Sequence, residues 1–199
     1  MLDRIAVSMN QQVITESDLI RDLRVDAFID HKPVDLSSDA RRAAAQRLVD
    51  QVLILKEAEE SHLTLASPED AAKLVEQEKS KYSPQVQNND ERYRAALAEY
   101  GITEADLSQH LLDGLRELRF TELRFRPEVQ ISDADLRDYY EKLAAGWRAG
   151  GRAPIPTFEE SRAQIENLLT GERTMKALDD WLKMARASNR IQYREPAFK

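Results

Sequence analysis

Apolar residues recur at helical spacing along most of the chain, which predicts a mostly α-helical protein. In the clearest case, Leu48, Val52 and Leu55 follow one another at positions i, i+4 and i+7. Neighbouring apolar residues widen this stripe: Val49, Leu53 and Ile54. A helix with so broad an apolar side must bury that side against other elements. We therefore predict a helix at about 39–61 that is central to the core.

Residues typical of helix starts and stops divide the rest of the chain into further helices. Ser67-Pro68 begins one helix, Gly101 is a C-terminal cap of another, and Pro127 ends a third. Ser83-Pro84 and Asn88-Asn89 are typical of a loop. The other predicted helices span about 15–29, 68–79, 90–100, 104–125, 133–145 and 158–187.

Extended segments are predicted near both ends of the chain. Ile5–Met9 and Val13–Thr15 flank a turn at Asn10–Gln12, which is typical of a small hairpin. Arg190–Tyr193 is a predicted terminal strand. Because buried backbone groups need hydrogen-bond partners, we expect this strand to pair with the hairpin.

The fold class is therefore a mostly α, multi-helix domain with a small sheet formed by the chain termini. We predict one domain over residues 1–199. Its helical N-terminal part covers 1–145, and a Gly/Pro-rich loop covers 146–157. A long closing helix and strand cover 158–199.

Composition narrows the class of function. The net charge of −7 argues against a general nucleic-acid binder, which needs a basic surface to neutralise phosphates. The chain has no cysteine, so disulfides and thiolate chemistry are excluded. No apolar run approaches the roughly 20 residues of a membrane span. We expect no membrane insertion.

No motif for catalysis or metal binding is present. The three histidines, His31, His62 and His110, are isolated and form no HExxH pattern, so we expect structural or solvated roles. No P-loop and no nucleophile elbow occurs. Ser132 and Asp135 are typical of a helix capping box rather than of a cation site. We predict no catalytic residue, no metal and no cofactor.

Methionines and aromatic residues are the candidates for binding, because they suit surfaces that accept varied partners. Trp147 lies in the predicted Gly/Pro loop, and Tyr139 and Tyr140 come just before it, where one tyrosine should face outward. Met175 and Met184 lie on the last predicted helix, although Met175 could instead belong to the core. These five residues are the predicted client-binding residues.

Three segments resemble the SurA-like family of periplasmic chaperones. Arg4–Leu19, with the sequence RIAVSMNQQVITESDL, resembles the opening strand, turn and helix of the family. Val129–Leu136 with Tyr139-Tyr140 is similar to the exit toward the isomerase module. Trp181-Leu182 through Ile191–Tyr193 resembles the closing helix and strand.

The resemblance implies a SurA N-terminal-like fold without the enzyme. In the family, a parvulin-type prolyl isomerase domain usually follows the Tyr-Tyr segment and needs on the order of 100 residues. Here 17 residues, Glu141 to Thr157, separate Tyr140 from Phe158, and no isomerase fits between them. A label of peptidylprolyl isomerase would therefore be wrong for this chain.

The expected function is that of an ATP-independent periplasmic chaperone in outer-membrane protein assembly. It would bind unfolded polypeptides in an apolar groove between helices. Met1 to Arg4 leads directly into a predicted strand, so we expect the mature form of an exported protein. The alternative is a structural or assembly protein, a homodimer whose last helices exchange at the Gly-rich hinge.

Overall fold

The computed structural model describes residues 3–82, 89–151 and 153–198. Within these ranges it contains seven α-helices and three short strands. The strands are β1 (Ile5–Met9), β2 (Gln12–Thr15) and β3 (Ile191–Tyr193). The helices are α1 (Glu16–Ile29), α2 (Ser38–Glu60), α3 (Pro68–Ser80), α4 (Asn89–Tyr100), α5 (Glu104–Arg124), α6 (Asp133–Ala149) and α7 (Phe158–Ser188).

The predicted fold class is confirmed, and six of the predicted helices agree with the observed bounds to within one residue. Local chemistry explains this agreement. At the start of α1, the Asp18 amide donates to Thr15 Oγ1 at 3.3 Å, and the Thr15 amide donates to the Asp18 carboxylate at 2.9 Å. Ser132 and Asp135 form the same predicted capping box at α6. The loop predicted at Ser83-Pro84 and Asn88 lies outside the described residues, and Asn89 begins α4.

The prediction that α6 ends near Ala145 was wrong. The helix continues to Ala149, so Trp147 lies on a helix and not in a loop. A glycine such as Gly146 weakens a helix by about 1 kcal/mol but does not end it by itself. The C-cap is Gly150, whose amide donates to the Gly146 carbonyl at 2.9 Å.

The chain termini form one antiparallel sheet with strand order β2-β1-β3. Val7 of β1 lies opposite Ile14 of β2 and Tyr193 of β3. The predicted pairing of the C-terminal strand with the hairpin is confirmed, and it occurs within one chain. The short turn between β1 and β2 uses Asn10 at a φ of 52°, a backbone conformation that asparagine tolerates.

The chain divides into two compact units. The terminal unit comprises residues 1–120 and 182–199, and the central unit comprises residues 121–181. The grouping of the whole chain into one domain, with limits at 145 and 157, stays a prediction. The homodimer with exchanged helices also stays a prediction.

The terminal unit has a core built from β1 and the helices α1, α2, α4 and α5. One cluster joins α1 to α4 and α5 around Phe28, which is fully buried. The ring of Phe28 meets that of Tyr93 edge to face at a centroid distance of 6.4 Å. The other buried members of this cluster are Val25, Leu97, Ile102 and Leu107.

The sequence predicts one apolar stripe on α5, formed by Leu107, Leu111, Leu115, Leu118 and Phe125, and this prediction was wrong for Leu118. Leu118, expected to be buried, is 57% exposed, whereas Phe120 is fully buried. The 3.6-residue period places Leu118 and Phe120 about 200° apart on the helix, so only one of them can face the same neighbours. The buried phenylalanine removes more apolar surface from water than the leucine would.

The central unit packs α6 against the first half of α7. Its buried residues are Leu136, Ile165 and Leu169. Half-buried apolar residues surround them: Ile131, Tyr139, Tyr140, Leu143 and Phe158. Polar contacts join the two helices at their exposed margins, where Arg162 pairs with Asp133 and Arg173 pairs with Asp135.

Candidate functional site: a groove between three helices

The apolar stripe of α2 is divided between the core and a groove. Val49, Leu53 and Ile54 are buried in the terminal unit. Leu48, Val52 and Leu55, the residues that define the helical period in the sequence, are only half-buried. The prediction that this whole stripe lies in the core was therefore wrong for Leu48, Val52 and Leu55, the groove half of the stripe. That half forms one wall of a groove.

The groove has a volume of about 300 Å³ and lies between α1, α2 and α5. Its apolar surface comes from α2, with contributions from Ile14 at the end of β2 and Val25 of α1. Its polar surface comes from α1 and α5. The lining is thus asymmetric, with an apolar wall on one side and a charged wall on the other.

Ion pairs organise the charged wall. Arg21 of α1 lies 3.0 Å from Asp18 and 3.1 Å from Asp106 of α5. Farther along α5, Arg116 lies 3.3 Å from Asp113. All five of these charged residues line the groove together with Gln109. Because each cation has a carboxylate partner, the wall carries polar groups of both signs without a large net charge.

A second ionic group, the ionic cluster, consists of Asp22, Asp26, Arg47 and His110. The His110 Nδ1 atom lies 3.3 Å from Asp22, and its Nε2 atom lies 3.3 Å from Asp26. Arg47 of α2 pairs with the same two carboxylates. The cluster joins α1, α2 and α5, the three helices that line the groove. Two of its members, Asp22 and His110, also line the groove itself.

The electrostatics of the cluster favour a protonated imidazole. Burial alone would lower the pKa of His110, but hydrogen bonds and charge attraction from Asp22 and Asp26 outweigh it and raise that pKa to about 9. Burial would likewise raise the pKa of Asp26, but His110 and Arg47 hold it below the ordinary value. At neutral pH the cluster therefore contains two cations and two carboxylates.

The aromatic candidates from the sequence lie together in the central unit. Tyr140 meets Trp147 edge to face at a centroid distance of 6.5 Å, and its hydroxyl donates to the Pro156 carbonyl at 2.9 Å. The Tyr139 hydroxyl donates to Glu172 at 2.7 Å. Both tyrosines are half-buried against the same apolar cluster, and the bond of Tyr139 is exposed whereas that of Tyr140 is part-buried.

The two methionine candidates are both exposed and lie in different units. Met175 of the central unit is 51% exposed, and Met184 of the terminal unit is 63% exposed. The alternative that Met175 belongs to the core was wrong. None of the five candidates lines the groove. Their role in client binding stays a prediction.

The sequence contained a signal for the ionic cluster that pattern reasoning missed. Asp22 and Asp26 stand at i and i+4 on one helix, where two like charges repel each other. Such a pair needs cations from elsewhere in the fold. Arg47 and His110 supply these cations, and they reach the two aspartates through helix packing that sequence spacing alone does not predict. The expectation that His110 has a structural role is consistent with its position between two carboxylates.

No helix in the described ranges is long and apolar enough to cross a membrane. Within the same part of the chain, no three histidine or carboxylate side chains converge as a metal site.

The family model of the SurA-like N-terminal domain matches residues 4–119. This match covers more than half of the chain, and the chain therefore belongs to the family of SurA-like N-terminal domains. The match includes β1, β2, α1, α2 and α5 as far as residue 119, and it shows no parvulin-type domain. Domains of this family are of the chaperone type and typically periplasmic. No curated protein matches the chain.

Proposed function

We propose that this chain is an ATP-independent chaperone that binds unfolded polypeptide segments in the groove between α1, α2 and α5. The observation that carries the proposal is the half-buried apolar wall of α2, which the protein's own core leaves uncovered. Membership of a chaperone-type family supports the same function. The proposed clients are unfolded outer-membrane proteins in the periplasm.

The lining of the groove indicates how a segment would bind. Apolar side chains of the client would pack against Leu48, Val52 and Leu55 and leave water, which is favourable by about 1.5–3 kcal/mol for each fully buried large side chain. The volume of about 300 Å³ lies at the lower end of pocket sizes. The groove therefore suits a few side chains of one short segment.

The charged wall would contribute in a different way. Arg21 can donate hydrogen bonds to the backbone carbonyl groups of a client, and Asp106 can accept them from its backbone amides, whatever the sequence of the client. Binding of this kind protects clients from aggregation by covering apolar surface that an unfolded chain exposes. It requires neither a nucleotide nor a covalent step, and we propose no isomerase activity.

A matched pair of variants tests the proposal. Leu48→Ser removes apolar surface from the groove wall, and Leu118→Ser removes the same surface from an exposed position of α5 outside the groove. We expect Leu48→Ser to weaken binding of a fluorescently labelled, permanently unfolded polypeptide about tenfold, and Leu118→Ser to leave it nearly unchanged. Circular dichroism of both variants checks that they are folded.

Aggregation of an unfolded outer-membrane protein provides the second measurement. The wild-type protein at several-fold excess should suppress light scattering without ATP, and Leu48→Ser should suppress it less. Equal loss of binding in both variants would argue against the groove. No binding by the wild-type protein, together with a dimeric mass in solution, would favour the homodimer predicted from the sequence.

A further inference from the structure

The ionic cluster connects the three helices of the groove through side chains alone. Asp22 and Asp26 come from α1, Arg47 from α2 and His110 from α5. Every contact within the cluster is between a cation and a carboxylate. The attachment of α5 to the other two helices at this level therefore depends on charge.

Apolar packing holds α5 on either side of this level. Leu107, one turn before His110, is buried in the cluster with Val25 and Phe28 of α1. After His110, Leu112 is buried with Ala66 and Ala71 near α3, on a side of α5 away from the groove. The segment of α5 that faces the groove begins with the ionic contacts of Arg21–Asp106 and of His110.

The charges of the cluster balance only when His110 is protonated. Two carboxylates one turn apart on α1 repel each other, and the cations of Arg47 and His110 offset them. If His110 loses its proton, it no longer attracts both carboxylates, and one negative charge remains in excess. The Asp22 side chain is only 4% exposed, so water compensates that charge poorly.

We propose that the ionic cluster is a charge latch that sets the width of the groove. While His110 is protonated, the latch holds α5 close to α1 and α2. Loss of that proton releases this part of α5 and widens the groove. The effect on groove width stands by itself, whereas its consequence for polypeptide binding rests on the proposed function.

The charged groups around His110 determine when the latch opens. They are Asp22 and Asp26 on α1 and Arg47 on α2, with Asp106 and Asp113 one turn away on α5 itself. Glu117, farther along α5, also interacts with Arg47, and burial raises the pKa of this glutamate. The two aspartates of α1 raise the pKa of His110 to about 9. The latch therefore stays closed through neutral and mildly acidic pH and opens as the pH rises through about 9.

Distance measurement between spin labels tests the latch directly. The chain has no cysteine, so Lys56→Cys on α2 and Gly114→Cys on α5 would provide two unique labelling sites. Both positions are exposed and outside the groove lining, and a Cβ atom at Gly114 meets no other atom within 4 Å. We expect one narrow distance at about pH 7, and a longer, broader distribution as the pH passes about 9.

Variants in the labelled protein separate the latch from general effects of pH. His110→Gln should show the long, broad distribution at neutral pH and no change with pH. Asp26→Asn should move the midpoint of the transition toward the ordinary histidine value. The matched control Asp30→Asn, at the exposed end of α1, should leave the distance and the midpoint unchanged.

Two results would overturn the latch: a wild-type distance that stays constant while the NMR signals of His110 titrate, or a His110→Gln distance equal to that of the wild-type protein. Binding of the unfolded polypeptide is measured separately at the same pH values. If the distance responds and no polypeptide binds, the latch stands and the proposed function fails.

Discussion

The terminal and central units use the same kind of amphipathic helix but bury its apolar side to different extents. In the central unit, Leu136, Ile165 and Leu169 meet in one cluster that half-buried aromatic residues surround. In the terminal unit, α2 buries one half of its apolar stripe and leaves the other half in a groove. The helices of both units carry apolar residues at helical spacing, so periodicity alone does not distinguish a closed helix pair from a groove.

The placement of charges explains this difference. In the central unit, the pairs Arg162–Asp133 and Tyr139–Glu172 lie at exposed margins, where they permit close contact between α6 and α7. In the terminal unit, ionic side chains lie between α5 and α1, at the position where apolar residues would otherwise meet. Charged groups in a helix interface hold the helices together and also keep a polar wall beside the apolar one.

The largest contrast between the units should appear when one carboxylate is removed from each. Asp22→Ala leaves the largely buried His110 with Asp26 as its carboxylate partner, and we expect the terminal unit to lose about 3 kcal/mol of stability. Asp133→Ala breaks an exposed pair in the central unit and should cost less than about 1 kcal/mol. Hydrogen exchange resolved by segment measures both, and equal losses would contradict the comparison.

Alkaline pH should also destabilise one unit selectively. The pKa of His110 is raised from its ordinary value of 6.5 to about 9 in the folded protein. The stabilisation of the fold by protonated His110 is therefore complete below about pH 6 and is lost as the pH rises through about 9. We expect the terminal unit to lose about 2–3 kcal/mol between about pH 7 and pH 10.

His110→Gln should remove this pH dependence. All three histidines belong to the terminal unit and both tryptophans to the central unit. Tryptophan fluorescence during denaturation therefore follows the central unit, while hydrogen exchange in α1 and α5 follows the terminal unit. A pH dependence of equal size in His110→Gln would assign the effect to another group.

A smaller effect should distinguish two neighbouring tyrosines of the central unit. Tyr140→Phe removes a part-buried hydrogen bond to the Pro156 carbonyl, and we expect a loss of about 1 kcal/mol. Tyr139→Phe removes an exposed hydrogen bond to Glu172 and should cost less than about 0.5 kcal/mol. Denaturation followed by tryptophan fluorescence compares them. The reverse order would mean that water satisfies the Tyr140 hydroxyl as well as Pro156 does.

Much of the fold could be predicted from the sequence because it depends on local chemistry. Capping residues such as Thr15 and Ser132 fix helix starts through bonds within one turn, and the predicted starts of these two helices are confirmed to within one residue. The end of α6 was predicted wrongly, because Gly146 does not end the helix and Gly150, four residues later, supplies the C-cap. A single glycine only lowers the local helix propensity. The helix ends at the residue whose backbone conformation satisfies the last carbonyl groups.

The groove could be predicted only as a type of site. The stripe containing Leu48 and Leu55 was visible in the sequence, but which half of it would meet the core depends on how α5 packs. For the same reason, the partners of Asp22 and Asp26 could not be predicted. Arg47 lies 25 and 21 residues away from these two aspartates in the sequence, and His110 lies farther still. Long-range packing determines both features, and no short motif encodes it.

The smallest expected effect on stability concerns the exposed methionine of the terminal unit. The Met184 side chain is 63% exposed, so Met184→Ser should change the stability by less than about 0.5 kcal/mol. This variant therefore tests client contact without disturbing the fold. Its affinity for the unfolded polypeptide is compared with that of Leu48→Ser. A several-fold loss would add Met184 to the binding surface, as predicted from the sequence, whereas an unchanged affinity would confine binding to the groove.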